Sequence, residues 1–219
     1  MINEIVNKIR SNLLNSGISK NEVNAAFGLA INEDLKYISD LFETYSYWSQ
    51  FYKKIDLSNL RYINMPEVVL DFYQNYEPKR LPILNGDIKL LGLNALKEEN
   101  SSAAPGMYLI KYGVITFATT IGGHAICLDL NEINDGEPRV IICENTYCSY
   151  NEDLNGVEIV NLPDDVSQRY GEDEPIMLSY ELIKECLPEI SRTFTGFLRN
   201  IADEVYINIE EEYLNNLYL

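Results

Sequence analysis

The sequence predicts an α+β fold, a central, mostly antiparallel twisted sheet flanked by helices, with an extra helical segment at the N-terminus. Three observations carry this reading. The stretch 106–144 breaks into apolar, β-prone runs cut by Gly113, by Gly122-Gly123 and by Asn134-Asp135-Gly136, which is how adjacent antiparallel strands read in sequence. Within it, residues 125–130 alternate: Ile126, Leu128 and Leu130 share one face, and Ala125, Cys127 and Asp129 share the other. On both sides of this stretch, apolar residues recur at three- and four-residue spacing, the period of a helix with one buried face.

In chain order, Ile2, Ile5, Val6, Ile9 and Leu13 predict a helix over 2–15, with Ser16-Gly17 as its stop. Ser19 and Glu22 have capping-box spacing and start a short helix running to about Leu29. A third helix is expected from Asn32 to Lys54, carrying an aromatic and aliphatic stripe of Leu35, Ile38, Phe42, Tyr45, Trp48 and Tyr52 that reads as a core face. Pro66 suits the first turn of a helix holding Val68, Val69, Phe72, Tyr73 and Tyr76, which Pro78 and Pro82 close. Residues 88–91 form a short strand candidate and 94–104 a polar loop. Strands are predicted over 107–111, 114–119, 125–130 and 139–144, with an edge strand over 156–162. Residues 163–178 read as an acid-rich loop, 179–187 as a helix capped by Ser179, and 189–216 as a last helical region. The expected organisation is a helical extension over 1–60 packed on an α+β domain over 61–219.

The chain has 219 residues, enough for a sizeable core, and two features of its composition stand out: 16 tyrosines and a formal net charge of −17. Such a chain is repelled by phosphate backbones and anionic membranes, so the expectation is no direct nucleic-acid binding and no membrane contact, but attraction for a basic partner. The opening segment is polar and amphipathic rather than a basic stretch followed by an apolar one, and no apolar run approaches a bilayer span. Cys127, Cys143, Cys148 and Cys186 are therefore expected as reduced thiols in a cytoplasmic protein.

The acids are unevenly placed. Thirteen lie between Asp129 and Glu174, opposed only by Arg139 and Arg169, so about a fifth of the chain carries most of its net charge. From this region the candidate partner-binding residues are Glu132, Asp135, Glu137, Glu152, Asp153, Asp164, Asp165, Glu172, Asp173 and Glu174. A second cluster, Asp203, Glu204, Glu210, Glu211 and Glu212, has no basic residue after Arg199.

Chemistry-bearing patterns are sparse. His124 is the only histidine and has no nucleophile at a recognisable motif. His124, Cys127, Cys143 and Cys148 are of zinc-ligand type, but their His-x2-Cys and Cys-x4-Cys spacings do not form paired knuckles. The run 129–136 fails the calcium-loop pattern, because Ile133 stands at a ligand position and Gly136 comes late. No catalytic residue, metal or cofactor is expected from these residues.

Four places together resemble the SUKH superfamily, the Smi/Knr-like domains. Residues 65–73 (MPEVVLDFY) look like its Pro-led helix ending in an aromatic pair. Residues 117–130 (FATTIGGHAICLDL) are similar to its core, where a strand reaches a Gly-bearing turn and the next strand ends in Leu-Asp-Leu. Gly136-Glu137-Pro138-Arg139-Val140 matches a Gly-x-Pro-x-Val start to the following strand. Residues 191–198 (SRTFTGFL) look like its closing helix. The resemblance covers about 65–200. It leaves out the N-terminal helices, the long acidic loop after Tyr147 and the tail beyond Asn200.

The resemblance implies an α+β fold without enzyme activity and, in many members, an immunity protein that binds and blocks a bacterial toxin, often a nuclease. The expectation is then a cytoplasmic protein that neutralises a cognate basic toxin domain through an acidic surface. The alternatives are a scaffold or regulatory binding module of the same fold, and a hydrolase or metalloprotein using His124 and the cysteines.

Overall fold

A computed structural model describes residues 1–39, 64–170 and 175–214. The chain opens with α1 (Ile2–Asn15), whose buried face is Ile5, Val6, Ile9 and Leu13. It ends as Ser16-Gly17 predicts: the amides of Gly17 and Ile18 donate back to the carbonyls of Leu14 and Leu13. Helix α2 (Lys20–Ala26) starts at a capping box in which the Ser19 oxygen accepts from the Glu22 amide and the Glu22 carboxylate accepts from the Ser19 amide. A two-residue strand, β1 (Phe27–Gly28), replaces the expected last turn and pairs with β2 (Glu77–Pro78). Helix α3 (Asn32–Ser39) is the described part of the third predicted helix. Phe42, Tyr45, Trp48 and Tyr52 of its stripe, and the proposed boundary near residue 60, lie outside the described residues. Helix α4 (Glu67–Tyr76) follows Pro66, which stands at the cap rather than inside the first turn.

The central sheet is curled and has five strands in the order β3 (Ile88–Leu90), β4 (Val114–Thr120), β5 (Ala125–Asn134), β6 (Glu137–Cys143) and β9 (Glu189–Ser191), with every neighbouring pair antiparallel. The α+β expectation, with helices flanking an antiparallel sheet and an added N-terminal helical segment, is met. Asp135 (φ 52°) and Gly136 (φ 81°) form the two-residue turn between β5 and β6, where both central positions need positive φ and Gly136 supplies one without strain.

Both faces of the sheet are covered, and the alternation in β5 sorts the two cores. Ile126, Leu128 and Leu130 face a large core built with α1, α4 and the C-terminal helix α9 (Phe194–Ala202). Its centre is a column of aromatic rings, each meeting the next edge-on at 5.4–5.6 Å: Phe72 on Phe194, Phe194 on Phe117, and Phe117 on Phe197. Such pairs add about 0.5–1.5 kcal/mol each beyond their burial. Ala125 and Cys127 face a second, smaller core. It is roofed by the hairpin β7 (Cys148–Asn151)–β8 (Gly156–Ile159) and by α8 (Tyr180–Cys186).

Several expectations are corrected. Residues 107–111 are not a strand: Gly106–Leu109 is the helix α6 and Ile110–Tyr112 a 3-10 turn. Gly113, at φ 73°, is the left-handed residue that stops them rather than a break between strands. The polar loop 94–104 holds α5 (Leu93–Ser101). Its Asn100 is fully buried, accepts from the Thr116 amide at 2.9 Å and donates to the Thr116 carbonyl at 2.7 Å, taking the place of a neighbouring strand. The strand at 156 is no edge of the central sheet; it is β8, shorter than expected, and pairs with β7 in the segment read as an acidic loop after Tyr147. The region 163–178 contains the short helix α7 (Asp164–Ser167). The last helical region begins instead with β9 and then divides into α9 and α10 (Ile209–Tyr213).

Candidate functional site

The acids of 129–174 fall into distinct structural classes. Asp129, on the β5 face that looks toward α8, is fully buried. Arg139, its direct cross-strand neighbour, donates through Nε at 2.9 Å and places a terminal nitrogen 2.8 Å from the same oxygen. The Tyr180 hydroxyl of α8 donates at 2.9 Å, and the backbone amide of Asn131 donates at 3.0 Å. Burial, and after it the Asp129 charge, holds the Tyr180 hydroxyl protonated well above its usual range. This group is a lock between sheet and helix, not a surface feature.

The candidate binding acids then separate. Glu137 is turned inward along the β5–β6 hairpin, where its two oxygens accept from the Thr195 amide and hydroxyl, both at 2.7 Å, in the first turn of α9. A carboxylate there complements the helix dipole. Glu132 pairs with Lys184 of α8. Asp135 is exposed at the hairpin tip. Glu152 and Asp153 are exposed in the turn joining β7 to β8, beside the half-exposed side chain of Leu154. Asp164 and Asp165 open α7, but their side chains are outside what the structure describes, as are Glu172, Asp173 and Glu174 altogether.

The hairpin that bears Glu152 and Asp153 is firmly held. The Leu154 amide donates to the Asn151 side chain at 3.1 Å, and Asn151 donates to Glu158 at 2.8 Å. The outer edge of β8 is covered by residues 176–178, whose backbone bonds to Val157 and Ile159 make a third strand in all but length. Met177, from that cover, and Tyr170 nearby in sequence also expose apolar surface. Sequence reasoning missed Leu154 and Met177, because nothing in their local pattern separates an exposed aliphatic from a buried one.

His124 sits at the β4–β5 turn. Its Nδ1 accepts from the Asn145 amide at 3.3 Å, and its Nε2 lies 4.0 Å from Glu210 of α10. The His124 amide donates to the Thr120 hydroxyl at 3.1 Å, which ties the turn together, and among the described residues no serine, threonine or cysteine side chain bonds to the imidazole itself. All four cysteines are free and buried, and burial pushes the thiols of Cys127 and Cys148 up to about 12 and that of Cys143 well above its ordinary value. A thiol so placed is a poor nucleophile at neutral pH. Among the described residues, no group of three His, Cys, Asp or Glu side chains is arranged to hold a metal ion. Also among them, no helix is long and apolar enough to cross a membrane.

Compared with protein-family models, with curated proteins and with solved structures, the chain has no match. By its own chemistry the arrangement is a braced, acidic, partly apolar hairpin turn over a doubly covered sheet.

Proposed function

We propose that the protein is a non-enzymatic immunity protein of SUKH type, which neutralises a cognate basic toxin domain by covering it with an acidic surface. The observation that carries the reading is the β7–β8 turn, where Glu152 and Asp153 are exposed beside Leu154 on a braced hairpin. An interface needs a rigid apolar anchor for affinity, and charges at its rim for encounter rate and for rejection of wrong partners. A toxin that holds nucleic acid presents lysines and arginines, which this turn complements. The order of elements also fits the resemblance over about 65–200, and the chain's charge favours a basic protein over nucleic acid as partner.

The test is titration calorimetry of the purified protein against the basic toxin domain encoded in the adjacent reading frame, at low and at high salt. The expected result is tight binding that weakens as salt rises, and that the pair Glu152→Lys and Asp153→Lys reduces at least about tenfold. No salt-sensitive binding would overturn the proposal. An adjacent frame that encodes no toxin would favour a scaffold or regulatory module of the same fold.

A further inference from the structure

A second surface lies against the large core, the opposite face of the sheet from the β7–β8 hairpin. Four aliphatic side chains stand in water there: Ile83, Ile121, Val205 and Ile207, at 54, 59, 56 and 85 % exposure. They are far apart in sequence, but hydrogen bonds, one of them to the Glu210 carboxylate, gather the segments that carry them. The Ile121 amide donates to the Asp87 carbonyl at 3.0 Å, Gly86 bridges to Asn208, and the Gly122 amide donates to Glu210 at 2.8 Å. Between α1, the 83–87 loop and the end of α9 opens a cavity of about 320 Å³, with Leu13, Ile83, Asn85, Asp87, Ile201 and Glu204 in its wall.

The exposure of Ile207 is held in place. Val205 and Ile207 point outward on either side of buried Tyr206, and Ile209 is buried again. The Ile207 amide is fixed by the Glu212 carboxylate at 2.7 Å, and Asn208 caps α10. An apolar residue just before a helix cap ordinarily packs on the residue four positions past the cap. Here that residue is Glu212, which binds backbone amides instead, so Ile207 is left facing solvent.

The same segments carry acids. Glu204 and Glu211 are exposed, Asp87 is half-buried, and none of the three has an ion pair among the described residues. Glu204 takes a left-handed backbone (φ 55°) just past the end of α9, where glycine is the usual occupant, and Asp87 does the same (φ 61°) at the cavity mouth. Exposed aliphatics drawn from neighbouring segments, with acids on the same segments, mark an interaction site.

From this we infer that the surface formed by Ile83, Ile121, Val205 and Ile207 docks a basic, amphipathic protein segment, one whose apolar side chain enters the patch while its Lys or Arg residues meet Asp87, Glu204 and Glu211. A second copy of this chain does not suit the site, because it would set the same acids against each other, and an anionic membrane is repelled by them. The inference stands apart from the toxin proposal, which uses the other face.

The probes are two short synthetic helical peptides of equal positive charge, one of Leu and Lys and one of Ser and Lys, titrated by fluorescence anisotropy. The Leu/Lys peptide is expected to bind at least about tenfold tighter than the Ser/Lys peptide. Ile121→Ser with Ile207→Ser, both exposed positions, is expected to remove most of that advantage, while Glu152→Lys with Asp153→Lys leaves it within about twofold. Equal binding of the two peptides, measurable on the unaltered protein, would overturn the inference. So would an advantage that survives the isoleucine changes or disappears with the hairpin changes. None of these outcomes depends on whether a toxin binds.

Discussion

The lock between Asp129 and Arg139 is the most exacting place to test how this fold treats its charge. Asp129→Asn keeps the shape of the side chain but removes its charge, leaving the Arg139 guanidinium, 10 % exposed, beside a neutral amide whose NH2 competes with it as a donor. Nε of Arg139, the Tyr180 hydroxyl and the Asn131 amide all donate to the carboxylate, so no arrangement of an amide replaces it. Breaking a buried ion pair from one side costs about 3–5 kcal/mol. For a chain of this size 1 kcal/mol corresponds to about 2–4 °C, so a fall in Tm of about 10 °C is expected. The assay is urea and thermal unfolding by circular dichroism, repeated in high salt, which should leave the loss nearly unchanged because the pair is shielded from solvent. The partner change Arg139→Met, combined with Asp129→Asn, removes the orphaned cation and should recover part of the loss; a double-mutant cycle then gives the coupling. A loss below about 1 kcal/mol for Asp129→Asn, the range of a surface pair, would refute the reasoning.

Other outcomes follow from the same geometry. Asn100→Ala orphans both backbone groups of Thr116 and should cost about 2–6 kcal/mol in urea unfolding, since each buried unpaired group costs about 1–3. Glu137→Gln keeps an acceptor for Thr195 but loses the charge at the start of α9, for an expected loss of about 0.5–1 kcal/mol by the same measurement. The four buried cysteines should react with a chromogenic disulfide reagent at neutral pH only as fast as the protein unfolds, and all four should react in denaturant. For Cys127 and Cys148, burial raises the folded thiol from 9.0 to about 12. Above pH 9 the unfolded chain releases these protons and the folded one keeps them. Stability is thus fully present below pH 9 and falls as pH rises toward 12, by about 1 kcal/mol per thiol at pH 10, which urea midpoints at pH 8 and pH 10 will read.

Where local chemistry decides structure, the sequence was readable. The one-sided spacing of Ile5, Val6, Ile9 and Leu13, the Ser19–Glu22 box and the Asn134-Asp135-Gly136 turn each specify a conformation through atoms within a few residues. Where tertiary context decides, it was not. Residues 107–110 are apolar and only Lys111 is charged, and so short an apolar run does not distinguish a buried strand from a buried helical turn. Helix α5 was hidden because one of its core-facing positions is Asn100, a polar residue whose role depends on Thr116 sixteen positions later. β9 is three residues long and abuts a strongly periodic helix, so the helical period masked it. The candidate acids were legible as a charge imbalance but not as individuals. Whether a carboxylate ends in a lock, at a helix start or in solvent depends on partners such as Tyr180, Thr195 and Lys184, which lie 51, 58 and 52 positions away in sequence.

That sorting changes what the net charge means. If the acidic balance acted only as a diffuse field, removing one acid would matter about as much as removing another of equal exposure. The structure divides them instead. Asp129 and Glu137 hold the sheet to α8 and α9, so changing either is expected to alter stability before it alters binding. Glu152, Asp153 and Glu204 face solvent next in sequence to, or one residue from, exposed Leu154 and Val205, and Glu211 faces solvent on the helix that follows exposed Ile207. Charge reversal there should leave unfolding within about 0.5 kcal/mol of the parent, as ordinary surface changes do, and appear in association rates instead. The acids most worth changing are therefore those that accompany an exposed aliphatic on a braced turn. The two such places lie on opposite faces of one sheet, so a partner on one leaves the other open to a second.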